Sequence, residues 1–480
     1  MSPAMESLSI EGSIITHSQG DAYNDANQRN SSLSVLKPTY IAFPAVATDI
    51  PVILKAAQDA NPPLEIAVKC GGAHSATWAS NNGGVVIDIR RMNAVTIAPD
   101  KSSVTIQGGA IWGDVYTVTR EAGIDVVGGP FWFVGVGGYL SGGGYSPFSS
   151  VHGMGLDNIL SATVVLADGR IVNTSETEEP DLFWAIRGGG NQFGIVVEFV
   201  IKAFPTWGPF IVGALAIPGK EIDETLRAIQ GWKSTFSAHE KITITFGRPG
   251  PHFNPVVTIL PWIAQTSFPS SEIAVARRSH TDSLAPFRAL GPVLDKVVEV
   301  PDMLAVSHAS DAAFAALPKA LIIRGTLVAD LWEDVMREVW DLWLDFTASN
   351  EGARSSSVLW DLTRPDGIEK FGPGETAFHA RKAHYWVAIQ GRSASEESLA
   401  VMRKFTSDIT AYIRDRNAQK MRESHPGGAD DVGYFLNFAQ GDESPEMVHG
   451  SNLSKLRKLK ARYDPKGLWS RGVFIEPDFD

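Results

Sequence analysis

The chain has 480 residues, of which 44% are hydrophobic and 20% are charged, an ordinary composition for a soluble globular protein of two domains. Because 54 acidic residues outnumber 42 basic ones, the net charge of −12 disfavours a nucleic acid or an anionic membrane as partner. A small molecule is therefore the expected ligand. The single cysteine, Cys70, excludes an intrachain disulfide and a cysteine-rich metal site, and no metal is expected.

The N-terminal residues lack a basic region followed by an apolar run, which a secretory signal requires. No apolar stretch in the sequence is long enough to span a bilayer. We therefore expect an intracellular, cytoplasmic protein, and the sequence leaves its oligomeric state open.

The first 206 residues are predicted to alternate short strands with short helices. Residues 1–38 are polar and are predicted to form a short leading segment. Asp168-Gly169 is the strongest hairpin signal in the chain, with a strand on each side of it between 162 and 172. The other predicted elements are helices at 47–60, 111–122 and 181–187 and strands at 64–68, 85–89, 94–97, 103–107 and 195–204.

From about residue 210 longer helices and strands replace this pattern and indicate a second α+β domain. A last helix is predicted at 452–463. The sequence thus predicts an α+β protein with domains at 38–206 and 207–432 and a C-terminal segment at 433–480. The predicted elements of the second domain are helices at 221–236 and 331–349 and strands at 241–246, 256–260, 320–328, 356–362 and 384–390.

Gly128 to Tyr145 reads GGPFWFVGVGGYLSGGGY and contains eight glycines, which disfavour a helix or a strand. Aromatic residues are interleaved with them, whereas flexible linkers are polar, so we interpret this stretch as backbone lying against a large flat or phosphorylated ligand. The dinucleotide fingerprint fails, because Leu140 and Phe193 stand where a third glycine is needed and no helix is predicted straight after the loop. A Rossmann domain is therefore disfavoured.

Four sequence blocks follow one another in an order and spacing that together carry a family resemblance. They are Val68-Lys-Cys-Gly-Gly-Ala-His74-Ser75 with Gly83-Gly-Val-Val-Ile-Asp88, Val127-Gly-Gly-Pro130 with Val134-Gly-Val-Gly-Gly138 and Gly142-Gly-Gly-Tyr145, Gly155-Leu-Asp-Asn158 with Ala167-Asp-Gly169, and Asp181-Leu-Phe-Trp-Ala-Ile-Arg-Gly188 through Gly194. Together they resemble the FAD-linked oxidoreductases of the vanillyl-alcohol-oxidase superfamily, in the berberine-bridge-enzyme-like branch. The resemblance covers nearly the whole chain.

This resemblance implies a two-domain PCMH-type FAD-binding fold. Residues 38–206 would bind FAD, and 207–432 would form a separate α+β substrate domain, an antiparallel sheet covered by helices. Residues 433–480 would form a berberine-like segment that returns to the FAD domain.

The resemblance also implies that backbone amides of the first loop wrap the FAD pyrophosphate and that His74 is bonded to the flavin. The alternative is a histidine that only hydrogen-bonds a turn. Many relatives form a second bond from a cysteine where this chain has Phe131, so a bicovalent flavin is excluded. The implied cofactor-binding residues are Lys69, Cys70, Gly71, Gly72, Ala73, His74, Ser75, Gly129, Val134, Gly135, Gly137, Gly138, Gly142, Gly143, Asn158, Ile159, Gly194, Val196 and Asn437.

The catalytic base is not fixed by the resemblance. Relatives often carry tyrosine at the position of Phe435, and tyrosine or glutamate at the position of Phe438. Neither position supplies a base in this chain. Strand alternation places His384 and Trp386 on one face of their strand. The candidate catalytic residues are Asn437, His384, Tyr385, Asp361 and Tyr434.

The expected function is an FAD-dependent oxidase that takes a hydride from a small apolar or aromatic alcohol, phenol or amine in specialised metabolism, with O2 as acceptor. One alternative is a dehydrogenase or a redox-neutral cyclase of the same fold. Another is a flavin-binding protein with degenerate catalysis.

Overall fold

The computed structural model describes residues 5–265, 280–426 and 431–480. Up to residue 205 the chain forms short strands and helices. The strands are β1 (Ser13–Thr16), β2 (Tyr40–Phe43), β3 (Ile66–Lys69), β4 (Val85–Asp88), β5 (Val95–Ile97), β6 (Ser103–Gln107), β7 (Ile124–Asp125), β8 (Ile159–Val165), β9 (Ile171–Ser175), β10 (Ile195–Lys202) and β11 (Phe204–Pro205). The helices are α1 (Asp21–Ala26), α2 (Asp49–Asp59), α3 (Trp112–Ala122), α4 (Val136–Gly142), α5 (Ser149–His152) and α6 (Pro180–Ile186).

Two sheets and a small ribbon build this N-terminal domain. The first sheet has the order β1-β2-β4-β3, with β1 antiparallel to β2 and the other neighbours parallel. The second has the antiparallel order β5-β6-β10-β8-β9, and β11 pairs with β7. Each strand is only two to eight residues long, so loops make up a large part of this domain.

The second domain is one seven-stranded antiparallel sheet in the order β15-β12-β14-β13-β17-β18-β16. Its strands are β12 (Phe210–Pro218), β13 (Glu240–Gly247), β14 (Val256–Ala264), β15 (Leu294–Val300), β16 (Ala320–Val328), β17 (Ser357–Leu362) and β18 (Tyr385–Ser393). Its helices are α7 (Ile222–Lys233), α8 (His280–Arg288), α9 (Met303–His308), α10 (Asp311–Ala315), α11 (Glu333–Ser349), α12 (Asp366–Glu369) and α13 (Leu399–Ser424).

The two faces of this sheet have different surroundings because side chains alternate along each strand. Ile244, Trp360 and Val387 point toward α7, α11 and α13 and belong to one buried apolar cluster with them. Asp361 lies opposite Thr243 on one neighbouring strand and opposite Trp386 on the other, so the polar side chains share the face that meets the first domain. The junction of the two domains is therefore where chemically active groups gather.

The C-terminal segment packs on the N-terminal domain through α14 (Pro445–His449) and α15 (Leu453–Tyr463). Lys460 is fully buried, with its Nζ 2.7 Å from Asp464 and donating to the Gln192 carbonyl at 2.6 Å. Asn437 donates to the Gly138 carbonyl at 2.9 Å. The beginning and end of the chain thus form one unit. No helix in the part of the chain that the structure describes is long and apolar enough to cross a membrane.

The α+β class and the two-domain arrangement agree with the prediction, and the predicted elements lie within a few residues of the observed ones. One prediction was wrong, because α4 is a helix inside the glycine-rich stretch. Gly137 and Gly142 are required by packing, since a Cβ on Gly137 would lie 2.8 Å from the Gly108 carbonyl oxygen and one on Gly142 would lie 2.5 Å from the Asn437 amide nitrogen. Residues 1–38, predicted as a leading segment, contain β1 and α1. Strands β12 and β15 and helix α13 were not predicted.

Candidate active site

The first glycine loop and the glycine-rich stretch touch backbone to backbone. A Cβ on Gly71 would lie 2.5 Å from the Gly135 nitrogen, and one on Gly135 would lie 2.4 Å from the Gly71 nitrogen. Cys70 lies beneath this contact, where its Sγ is 3.4 Å from the Ala110 carbonyl oxygen. Burial raises the pKa of this thiol to about 11, so Cys70 acts as packing and not as a nucleophile.

The wall continues along α4 to the C-terminal segment. The side chain of Asn437 bridges the stretch, since it donates to the Gly138 carbonyl and accepts from the Gly144 amide at 3.2 Å. A Cβ on Gly142 would lie 2.5 Å from the Asn437 amide nitrogen, and one on Gly143 would lie 2.7 Å from the Phe435 ring. Gly138 is exposed, and a Cβ on it would meet nothing within 4 Å.

The more distant predicted cofactor residues extend the same wall. The Leu156 amide, two residues before Asn158, donates to the Gly143 carbonyl at 3.1 Å. The Asn158 side-chain amide donates hydrogen bonds to two backbone carbonyls, and the next residue, Ile159, is the first of β8. Gly137 packs against Gly108, and a Cβ on Gly108 would lie 2.0 Å from the Val196 carbonyl oxygen. Val196 follows Gly194 by two residues, so both lie at this end of the wall. The Val134 carbonyl accepts a hydrogen bond from the Trp112 backbone amide. A Cβ on Gly129 would lie 2.9 Å from the Trp112 ring.

The flanks of the first loop are fixed by contacts of three kinds. Lys69 is buried, with its Nζ 3.0 Å from Asp88. The Ala73 carbonyl accepts from the Asn30 side chain at 3.5 Å. The Ser75 hydroxyl accepts from the Ile323 amide on β16 at 2.9 Å and lies 3.1 Å from Gln440 Nε2. The loop is thereby tied to the second domain and to the C-terminal segment.

His74 is a neutral imidazole in the first loop. Its Nδ1 accepts from the Ala76 amide at 3.0 Å, which places the ring proton on Nε2, and the ring stacks on Trp78 at 4.6 Å. Burial lowers the pKa of His74 to about 4, and this outweighs a hydrogen bond with the Asn437 backbone that raises it. A neutral imidazole retains the nitrogen lone pair that bonding to carbon requires.

These residues fit FAD. The glycines form a cradle that side chains would fill, with Gly138 open to a ligand and His74 neutral beside it. No group of three metal-ligating side chains is arranged to hold a metal ion in the described residues.

A polar hub lies opposite the cradle, on the sheet of the second domain. The Tyr145 hydroxyl, from the end of the glycine-rich stretch, donates to Asp361 across the domain junction. Asp361 also accepts from Thr243 at 2.9 Å and Thr363 at 3.0 Å, and Lys241 Nζ lies 2.6 Å from it. Burial raises the pKa of Tyr145 well above its ordinary value, and Asp361 adds to the rise. Tyr145 is therefore a protonated donor and Asp361 its acceptor.

Aromatic side chains surround the hub on one side. Trp386 lies 4.4 Å from Tyr145 and 4.2 Å from Phe435 between ring centroids, and Phe438 lies 5.1 Å from Phe435. A Cβ on Gly325 would lie 2.2 Å from the Phe438 ring, so this residue of β16 has to be glycine. These rings give one side of the junction an apolar surface.

His384 stands edge-on to Trp386 at 4.8 Å and is buried. Its Nδ1 donates to the Lys382 carbonyl at 2.6 Å, and its Nε2 has no hydrogen-bond partner among the residues that the structure describes. Burial lowers the pKa of His384 to about 4. The side chain is thus a neutral ring with one free acceptor nitrogen.

The structure separates the predicted catalytic residues into two groups. Asp361, His384 and Asn437 lie at the junction, as described. Tyr385 points to the opposite face of the sheet, where Lys233 Nζ lies 5.7 Å from its ring centre. Tyr434 is buried in a separate apolar cluster and donates to Glu443 at 2.9 Å. Tyr385 and Tyr434 therefore stand apart from the hub.

Sequence reasoning did not single out Tyr145 or Lys241. Tyr145 ends the glycine-rich stretch, and a tyrosine directly after three glycines was an available signal. Lys241 alternates with Thr243 and Thr245 along β13, so a polar face on a buried strand was visible in the sequence. Their connection to Asp361 depends on how the two domains pack.

Comparisons with known proteins fit this geometry. Residues 38–175 match the family model of an FAD binding domain, and residues 434–471 match the family described as berberine and berberine like. The FAD-dependent monooxygenase tpcD of Cochliobolus heterostrophus is 39% identical over 445 residues, which cover 88% of this chain and 82% of that protein. The chain belongs to the berberine-bridge-enzyme-like FAD-linked oxidoreductases.

Solved structures of this family have the same fold. The 6-hydroxy-D-nicotine oxidase of Arthrobacter nicotinovorans superposes with a TM-score of 0.80 at 23% identity, covering 100% of both chains. The glucooligosaccharide oxidase of Acremonium strictum, whose FAD is 6-S-cysteinyl and 8α-N1-histidyl, gives a TM-score of 0.76 at 22% identity, covering 98% of both chains. The chain accordingly has the two-domain PCMH-type fold.

Proposed function

We propose that the protein is an FAD-dependent oxidase acting on a small apolar or aromatic alcohol, phenol or amine. FAD, when bound, takes a hydride from such a substrate and passes the electrons to O2. One observation carries the proposal: the glycine cradle of 70–75 and 135–143 meets the Tyr145–Asp361 pair and the Trp386 wall at one junction. In this division of roles, 38–206 and 433–480 bind FAD and 207–432 binds the substrate.

The cofactor residues proposed are those of the first loop and α4. Backbone amides at 70–75 would hold the pyrophosphate, and the open Gly138 and the Asn437 bridge would border the cofactor. The neutral ring of His74 supports one histidyl bond to the flavin. Phe131 stands where the resemblance places the cysteine of a bicovalent flavin, so a second bond is not proposed.

The proton of the substrate is proposed to leave through Tyr145. Its hydroxyl would accept that proton as its own proton moves to Asp361, so no phenolate has to form beforehand. Lys241 Nζ lies 2.6 Å from Asp361, and this ion pair holds the carboxylate in place beside the Tyr145 hydroxyl. The side-chain amide of Asn437 donates to one backbone group and accepts from another, so we propose that it positions the glycine-rich stretch and does not act as a base.

The lining of the junction supports an apolar substrate. Trp386, Phe435 and Phe438 offer aromatic surface, and buried sugar hydroxyls would find few partners there. The free Nε2 of His384 can accept one hydrogen bond, which suits a single hydroxyl or amine group.

The test has two stages. A panel of aromatic and terpenoid-like alcohols, phenols and amines, with glucose and cello-oligosaccharides as controls, is mixed with the holoprotein under nitrogen, and flavin bleaching is recorded. Substrates that bleach the flavin are then supplied with O2, and H2O2 is measured. Efficient oxidation of the sugars without turnover of the apolar compounds would contradict the proposal, and no bleaching by any compound would favour a flavin-binding protein without catalysis.

A monooxygenase is the second candidate, because the relative that is 39% identical carries that name. Turnover under 18O2 separates the two reactions. An oxidase leaves the label in H2O2, whereas a monooxygenase puts one labelled oxygen atom into the organic product.

A further inference from the structure

Three cations surround a single carboxylate beneath the first glycine loop. Lys69 Nζ lies 3.0 Å from Asp88, and Arg90 holds the same carboxylate with its Nη2 at 2.6 Å. Arg29, from the segment before residue 38, interacts electrostatically with Asp88 and is repelled by Arg90. The group of Arg29, Lys69, Arg90 and Asp88, which we call the cation cluster, therefore carries two positive charges in excess.

Two of these cations line the inner side of Gly72. A Cβ on Gly72 would lie 2.9 Å from Lys69 Cε and 3.2 Å from Arg29 Cδ. Arg29 donates to the Ala79 carbonyl at 2.7 Å and to the Gln28 carbonyl at 2.9 Å. Its Nε is buried and has no hydrogen-bond partner within the described ranges. The positive charge thus lies directly behind the loop, in a region with little water.

Arg90 is exposed, whereas Lys69 is buried and Arg29 is half-buried, and removing the charges of these two residues from water is costly unless an anion compensates them. Burial lowers the pKa of Arg29 to about 10 and that of Lys69 to about 8, and in Lys69 the attraction of Asp88 does not offset burial and the neighbouring arginines. Among the charged groups of the cluster only Asp88 is negative, so an anionic ligand on the loop would lower the cost of the excess charge. A loop of backbone amides on the cluster gives that anion a place to bind.

We propose that Arg29 and Lys69 provide the positive charge that holds the pyrophosphate of FAD on the first glycine loop. This inference rests on the proposed function, because it assumes that the loop binds FAD. It assigns cofactor affinity to Arg29, a residue outside both segments that match the family models, 38–175 and 434–471. A unit charge several ångströms from a diphosphate in a partly buried site changes affinity by about tenfold or more.

The segment that carries Arg29 is held firmly enough for this role. The Asn30 amide donates to the Gly72 carbonyl at 3.0 Å, and the Ser31 hydroxyl donates to the Leu321 carbonyl on β16 at 2.6 Å. Residues 29–31 therefore connect the loop to the second domain. A purely structural role for Arg29 would act through the same contacts, so the experiment has to separate charge from structure.

All variants are made in a His74→Ala background, so that FAD binds reversibly, and Kd is measured on apoprotein by quenching of FAD fluorescence. Arg29→Gln should weaken FAD binding about tenfold, whereas Arg29→Lys, which keeps the charge, should stay within about threefold of the parent. Arg91→Gln removes an exposed arginine that lies outside the cluster and should change nothing. Asn30→Ala disturbs the loop without changing its charge and reports the structural contribution.

Inorganic pyrophosphate is the second probe, added as a competitor of FAD. It should compete in the parent protein and about tenfold more weakly in Arg29→Gln. The proposal is overturned if Arg29→Lys loses as much affinity as Arg29→Gln, if pyrophosphate competes equally with both proteins, or if it does not compete with the parent. If the folded parent binds no FAD at all, the proposed function fails instead.

Discussion

Replacing Asp361 by asparagine should stop proton transfer from the substrate and also weaken the second domain. Asparagine still accepts from Tyr145 but cannot take its proton, so flavin reduction should slow by about 10²- to 10⁴-fold, the usual contribution of a general base. KM should change much less, because the shape of the site is preserved.

The stability cost follows from Lys241. The Lys241 and Asp361 side chains are 8% and 14% exposed, and removing the carboxylate leaves the ammonium buried without its counter-charge. Breaking such a pair costs about 3 kcal/mol or more. For a domain of this size each kcal/mol lowers Tm by about 2–4 °C, so a decrease of about 6–12 °C is expected.

Stopped-flow reduction of the flavin under nitrogen measures the first effect, and differential scanning calorimetry measures the second. Asp366→Asn is the control, since Asp366 forms an exposed pair with Arg364 and should change neither quantity noticeably. The double variant Asp361→Leu with Lys241→Met should regain most of the lost Tm without regaining activity. An Asp361→Asn enzyme that reduces its flavin at the wild-type rate would refute the relay through Tyr145.

Three further results are expected. Acid-precipitated wild-type protein should keep its yellow colour, whereas His74→Ala should release free FAD; colour lost from both would refute the histidyl bond. Gly135→Ala should leave most of the protein without FAD, measured by the absorbance ratio at 450 and 280 nm, because its Cβ would collide with the Gly71 nitrogen at 2.4 Å. Burial raises the pKa of Asp125 to about 6, so Asp125 binds a proton more tightly in the folded protein than in the unfolded chain. Its contribution to the free energy of unfolding is therefore fully present below about pH 4 and is lost as the pH rises through about 6. Asp125→Asn should then gain up to about 3 kcal/mol over wild type at pH 7 in urea titrations, and an equal stability of both proteins from pH 4 to 7 would contradict this sign.

Local patterns in the sequence were enough to predict most strands, because alternation and turn residues report the burial of each short segment. The Asp168-Gly169 hairpin and the strand 320–328 were predicted from such patterns. Helix α4 was missed because Gly137 and Gly142 are required by contacts with Gly108 and Asn437, which are distant from them in the sequence. Helix α13 was missed because its 26 residues carry many charges around a narrow apolar stripe.

The cofactor side of the site could be anticipated from sequence further than the catalytic side. A dense run of glycines interleaved with aromatic residues indicates close backbone approach, so the cradle was recognisable from composition and order. The Tyr145–Asp361 contact joins residues 216 positions apart and exists only after the domains dock. Asp361 and His384 were candidates because they are polar residues on predicted strands of the second domain. Nothing in the sequence distinguished them from Tyr385, which is next to His384 and points to the other face.

The bridge made by Asn437 has a consequence for biosynthesis. Asn437 and Gly138 are 299 positions apart, so the segment that carries Asn437 leaves the ribosome well after the glycine-rich stretch. Domains fold as units while the chain is still being made, at about 5–20 residues per second, so the N-terminal sheets can form many seconds before this bridge. During that interval the glycine cradle lacks one side, and a flavin could enter and leave freely. Synthesis of the segment around Asn437 is then the step that closes this side of the cradle, and a ribosome that stalls before residue 437 should yield a nascent protein that holds flavin less tightly.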